Sequence, residues 1–116
     1  MTEPRIDSFR FGQIVIDGQI YRQDVIILPD RVLPNWWRVK GHKLCYEDLQ
    51  QALQEKPQTV IIGCGVFQRI TVPDEVCEQI EARGACLVAL RTGEACERYN
   101  QCCREGRVVA ALHLTC

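Results

Sequence analysis

The sequence predicts an α/β fold, with an N-terminal β-hairpin and a C-terminal parallel β-α-β-α-β unit layered with helices. Three observations predict it. Apolar, strand-like runs at 59–62, 85–90 and 107–116 alternate with amphipathic stretches over 73–84 and 92–106. Strands joined through a helix by short connections lie parallel, with right-handed crossovers. Asp17-Gly18 stands between two apolar runs, and this dipeptide favours a type I′ hairpin turn because both of its residues take φ > 0. The length, 116 residues, suits one domain with its own core, here read as 1–116.

Residues 9–28 read as a hairpin around Asp17-Gly18, with a break expected near Gln23 and Asp24. Val25, Ile26, Ile27 and Leu28 form an unbroken apolar run, which predicts burial on both faces. Residues 32–43 are the least regular and chemically richest stretch, with Trp36 and Trp37 side by side, then Arg38, Lys40, His42 and Lys43. Two adjacent side chains of an extended segment point to opposite faces, so the tryptophans cannot both enter the core. A first helix is expected over 44–56, with Leu44, Leu49, Ala52 and Leu53 as its apolar stripe and Pro57 as its stop. Pro73, Asp74 and Glu75 suit a helix start, and Gly84 suits its end. Thr92 is expected to cap the third helix, with Ala95, Cys96, Tyr99, Cys102 and Cys103 on one face.

Composition narrows the function classes. The net charge is −1, with 14 Lys and Arg against 15 Asp and Glu. Bulk nucleic-acid binding needs a basic surplus to release counterions, so no nucleic-acid partner is expected. No apolar run reaches membrane-spanning length and the first residues lack the apolar core of a signal peptide. A cytoplasmic protein without membrane insertion is therefore expected. The eight cysteines contain no Cys-x-x-Cys pair, so no metal site is expected. Gly63-Cys64-Gly65 lacks the third glycine and prompt helix of a dinucleotide site. It also lacks the Gly-Lys-Ser/Thr ending of a phosphate loop.

Parallel strands end on one edge of their sheet, where ligands of open α/β folds gather. That edge should carry Gly63, Cys64 and Gly65, the helix start at Thr92 and Gly93, and His113 with Thr115. Trp37, Arg38 and His42 join it if the 36–43 loop folds over. These ten residues are the candidate ligand or anion site. A Cys64–His113 or Thr115–His113 pair would supply a nucleophile and base.

Several motifs together carry a family resemblance: Phe11-Gly-x-Ile-Val-Ile-Asp-Gly18, Asp24-Val-Ile-Ile-x-Pro-Asp-Arg-Val32, Asn35-Trp-Trp-Arg38, Gly41-His42, Ile61-Ile-Gly-x-Gly65, Val72-Pro73, Glu94-Ala95, Tyr99-Asn100 and His113-Leu-Thr-Cys116. From about Phe9 to Cys116 the chain resembles the Mth nine-three-eight domain family. That family includes small bacterial and archaeal proteins and an assembly factor of mitochondrial respiratory complex I. The resemblance implies an α/β fold with a mixed central sheet, no established enzymatic activity and no known cofactor. Its Trp-Trp-Arg, Gly-His, Gly-x-Gly and His-x-Thr-Cys positions are matched here, and the family suggests that they share a cleft. The chain departs from the family in carrying Cys64 and Cys45. The expectation is a small accessory or binding protein acting on a protein partner or small anionic ligand. The alternatives are a small hydrolase or thiol enzyme using His113 with Cys64 or Thr115, and a structural interaction module.

Overall fold

The computed structural model describes residues 3–116. Its strands are β1 (Ile6–Arg10), β2 (Gln13–Ile16), β3 (Gln19–Tyr21), β4 (Val25–Ile27), β5 (Val32–Pro34), β6 (Thr59–Gly63), β7 (Cys86–Leu90) and β8 (Val108–Leu112). The helices are α1 (Gln50–Leu53), α2 (Asp74–Ala82) and α3 (Thr92–Cys102). A 3-10 turn, Tyr46–Leu49, runs into α1. No described helix is long and apolar enough to cross a membrane.

The strands form two sheets. β1, β2 and β3 make a small antiparallel sheet, and the larger sheet has the order β5-β4-β8-β6-β7. Within the larger sheet β6 runs parallel to both β8 and β7. β4 runs antiparallel to β8, with Val25 opposite Leu112, and β5 antiparallel to β4, with Val25 opposite Pro34. The sheet is therefore mixed. The head of β4 and the tail of β5 lie at the edge where the parallel strands finish.

The apolar runs alternate between two cores, as the two-residue period of a strand requires. Ile26, Leu28, Val60, Ile62, Val109 and Ala111 face a core closed by the 3-10 turn, α1 and α2. Val25, Ile27, Ile61, Val108, Ala110 and Leu112 face a second core closed by α3 and the small sheet. The continuous run at 25–28 is buried on both faces, as its pattern predicted. The β2–β3 turn holds Asp17 at φ 49 and Gly18 at φ 79, the conformation expected of Asp-Gly.

Several boundaries differ from expectation. β1 was not anticipated, because a register irregularity between Ile6 and Ser8 breaks its alternation. The expected 9–28 hairpin divides between the two sheets at Asp24. The helix expected over 44–56 is reduced to the 3-10 turn and one α turn. Asp48 explains its tight start: its carboxylate accepts from the N–H of Cys45 at 2.8 Å and of Val39 at 3.1 Å. The last strand stops at Leu112, and 113–116 leave the ladder to bond the surrounding turns.

The small sheet is tied to α3 by two side chains. Tyr99 Oη donates to the Pro4 carbonyl at 2.6 Å. Asn100 Oδ1 accepts from the Ile6 N–H at 3.1 Å while Nδ2 donates to the Ile6 carbonyl at 2.8 Å. Asn100→Ala removes both β1 bonds and should cost about 1–3 kcal/mol. A lower melting temperature with faster amide exchange confined first to β1 is the expected result.

Candidate functional site

The sheet topology sets the site. Because β4 is antiparallel to β8, Asp24 at the head of β4 meets His113 at the tail of β8. Asp24 Oδ2 accepts from His113 Nδ1 at 2.7 Å and from Arg38 Nη1 at 2.8 Å. Its Oδ1 accepts from the Leu114 N–H at 2.8 Å. One carboxylate thus joins β4, the 35–43 loop and the segment after β8.

The bonds fix the orientation of His113. Nδ1 donates to Asp24, which leaves Nε2 facing Thr115 Oγ1, 3.3 Å away. Arg38 Nη2 lies 3.3 Å from Nδ1 but cannot donate to a nitrogen that already holds a proton, so the shared carboxylate holds these two groups together. Arg38 also donates from Nε to the Gly41 carbonyl at 2.6 Å, and its guanidinium carbon lies 4.7 Å from the Trp36 ring centroid. That cation–π contact rests on a fixed ring: Trp36 Nε1 donates to the Asp48 carbonyl at 3.0 Å, and the Trp36 N–H donates to the Asp24 carbonyl at 2.7 Å.

Burial pushes the Asp24 carboxyl upward in pKa, but hydrogen bonds from His113, the Leu114 N–H and Arg38 outweigh it and hold the group below its ordinary value. The carboxylate is therefore ionised at neutral pH and satisfied at both oxygens.

A second set of bonds closes the parallel strands. Thr92 Oγ1 accepts from the Gly65 N–H at 2.8 Å and donates to the His113 carbonyl at 2.6 Å. Thr92 is thus the first residue of α3 rather than its cap, because its hydroxyl is spent across the edge. Gly63 leaves room for that hydroxyl: a Cβ there would lie 3.0 Å from Thr92 Oγ1 and 2.9 Å from Leu112 Cδ2. Gly65, at φ +104, packs on the backbone of Cys116, which a Cβ would overlap. The Val66 N–H donates to the Thr115 carbonyl at 2.7 Å and the Cys64 N–H to the Leu90 carbonyl at 2.8 Å. The amides of residues 64–66 are therefore engaged internally.

The ten candidates do not all meet. Arg38 and His113 join Asp24 directly, Thr115 meets His113, and Gly63, Gly65 and Thr92 form the adjoining strand-end lock. His42 stands at the rim, exposed, its ring 6.0 Å from that of His113 at an interplanar angle of 73°. Trp37 turns out to solvent at 76% exposure while Trp36 is 8% exposed, which resolves the Trp-Trp pair. Trp37 instead lines a cleft of about 390 Å³ with Trp36, Val39 and Asp48. Gly93 lies in a separate groove between β1 and α3.

Cys64 faces the first core rather than His113, with Sγ 4.0 Å from the Ile62 carbonyl. Burial pushes its thiol up to about 11, the reverse of an activated nucleophile. The glycines on either side of it hold the edge together, whereas its own side chain fills the core.

Asp24 is the residue that the candidate set lacked. Its signal was a lone carboxylate at the head of an all-apolar strand, just after the expected break. The antiparallel pairing of β4 with β8 gives that position its meaning, and residue spacing does not encode the pairing. Among the described residues no cluster of three or more His, Cys, Asp or Glu could hold a metal ion.

The fold and edge define an α/β class with close structural likenesses. A conserved hypothetical protein from Pyrococcus horikoshii matches with a TM-score of 0.84 at 26% identity, over 97% of this chain and 99% of that one. A protein named MT938 matches with a TM-score of 0.78 at 29% identity, again over 97% and 99%. The chain belongs to the family described as protein of unknown function (DUF498/DUF598), which it matches over residues 6–114. It is also similar to the human NADH dehydrogenase [ubiquinone] 1 alpha subcomplex assembly factor 3, at 28% identity over 109 residues. That match covers 91% of this chain and 58% of the relative, so the chain spans less than two thirds of that relative's length.

Two measurements check this geometry. The depressed Asp24 pKa contributes stability that is present above the ordinary aspartate value of about 4 and is lost as pH falls through the folded-state value. Asp24→Asn should lower stability at pH 7 by about 3 kcal/mol and should flatten the acid limb of the stability–pH curve. In native protein Cys64 should resist iodoacetamide at pH 8 while exposed Cys86 is alkylated. Mass spectrometry should find Cys64 modified only after denaturation.

Proposed function

We propose that this protein is a non-enzymatic accessory factor that works by contact with a protein partner at the carboxyl edge of its large sheet. The observation that carries this reading is the closure of the polar cluster. Both Asp24 oxygens are bonded, and Arg38 is committed to Asp24 and the Gly41 carbonyl. Among the described residues no buried side-chain polar atom lacks a partner. Such a cluster shapes loops, whereas a catalytic or anion site keeps donors or a nucleophile in reserve for its ligand. The likeness to a human protein named as an assembly factor supports the same class. Eight cysteines, all free thiols, suit action in the reducing cytoplasm.

A second reading rests on one observation. Asp24, His113 and Thr115 stand in the order of an acid–base–hydroxyl relay, at 2.7 Å and 3.3 Å. A Thr115 nucleophile would make the protein a small hydrolase. The test is a panel of nitrophenyl esters, phosphates and amides, comparing the purified chain with His113→Ala. The accessory reading expects no turnover above that of the variant. Turnover that His113→Ala abolishes while the fold survives would establish the hydrolase instead.

A further inference from the structure

We infer that the carboxyl edge is a docking surface for an acidic segment of a protein partner that also carries apolar side chains. This inference rests on the accessory reading above and gives that reading a partner chemistry.

Charge is segregated along the molecule. The connections at the carboxyl edge are 10–12, 22–24, 35–43, 64–72, 91–93 and 113–116, placed there by the strand directions and by their mutual bonds. They hold half of the 14 Lys and Arg and a single side-chain carboxylate, Asp24. Asp24 is committed to Arg38 and His113. The other cations, Arg10, Arg22, Lys40, Lys43, Arg69 and Arg91, are exposed. Acids flank this group: Glu94 in the first turn of α3, and Glu47 and Glu75, which share a groove with Lys40 and Lys43.

Apolar groups share the same edge. Phe11 is 57% exposed, Phe67 66% and Trp37 76%. Each stands next to a residue fastened to the cluster. The Gly12 N–H donates to the Leu114 carbonyl at 2.8 Å, the Val66 N–H to the Thr115 carbonyl at 2.7 Å, and Arg38 to Asp24 at 2.8 Å. The turns that present the three rings are thus fixed to one framework. A large aromatic held in place loses little freedom on binding, which is why such residues anchor interfaces.

Charge complementarity selects the occupant. An anionic membrane or a long polyanion would extend past the edge. The chain carries a net charge of −1 and acidic flanks, with Asp74, Glu75, Glu78 and Glu81 along α2. Such a surface would come within a Debye length, about 8 Å, of those acids and meet repulsion there. A short acidic segment stays within the positive edge, and its apolar residues find the exposed rings.

The test uses a fluorescein-labelled peptide of about 15 residues that interleaves Glu with Leu and Phe, titrated by anisotropy. The charge-neutral peptide with Gln for Glu is the comparison. Single-stranded oligothymidine and phosphatidylserine vesicles are the competing probes. The acidic peptide should bind more tightly than all three, and more weakly as salt rises. Arg69→Glu with Arg91→Glu should lower its affinity about tenfold. Lys40→Glu with Lys43→Glu should do the same if the first pair impairs folding. Lys56→Glu with Arg104→Glu, at the opposite edge, should leave affinity unchanged. Peptide binding that is absent, or indifferent to charge reversal at the carboxyl edge, would overturn the inference. Tighter binding of DNA or vesicles would overturn it too, by assigning the edge to another class of partner. Absent or charge-indifferent peptide binding leaves the accessory reading standing; a DNA or vesicle preference would change its class of partner, and His113-dependent turnover would overturn it.

Discussion

Three separate parts of the chain converge on the Asp24 carboxylate, and their arrangement depends on it. β4 brings the group, the Trp-Trp-Arg loop brings Arg38, and the segment after β8 brings His113 and the Leu114 N–H. A charge removed this far from water would be costly alone. Here its two oxygens accept three bonds, and burial is outweighed, as the lowered carboxyl pKa records. The pairing need not add much net stability over an apolar substitute of the same shape. Its contribution is positional: the guanidinium plane and the imidazole each have few geometries in which both reach one carboxylate, so the loop and the chain after β8 have few places to lie.

The strand-end lock works with this cluster through the backbone of His113. The His113 side chain belongs to Asp24, while its carbonyl takes the Thr92 hydroxyl and its N–H donates to the Gly63 carbonyl at 3.0 Å. The glycines on either side of Cys64 are needed for opposite reasons. Gly63 yields space to a neighbouring hydroxyl, whereas Gly65 both takes a left-handed φ and meets a backbone at close range. A side chain at either place would push apart the strand ends that carry the cluster.

Much of this was legible in the residues. The parallel unit and its edge followed from alternating apolar and amphipathic runs, and the Asp-Gly turn from backbone preference. Gly63, Gly65, Thr92 and His113 meet at that edge because strand direction alone brings them together. What was not legible depended on pairing between distant segments. Nothing local says that β4 runs beside β8, so Asp24 read as a strand boundary. Thr92 read as a helix cap because its real partners, the Gly65 N–H and the His113 carbonyl, come from other strands. Cys64 drew attention by chemistry, yet adjacent side chains of an extended segment point apart, and that geometry turned it into the core.

The closed cluster and the charged rim are two layers of one arrangement. Asp24 neutralises Arg38, the most enclosed of the cations at the edge, so the buried layer carries almost no unbalanced charge. The positive character of the edge then resides wholly in side chains that reach solvent. A protein that needed Arg38 to grip a ligand would have to break its bonds to Asp24 and Gly41 first, and the loop would lose its shape at the moment of binding. By fixing the loops with internal bonds, the chain holds the turns that carry Trp37, Phe67 and Arg69 on one framework. That order places the satisfied polar framework within and the charged and aromatic groups at the rim.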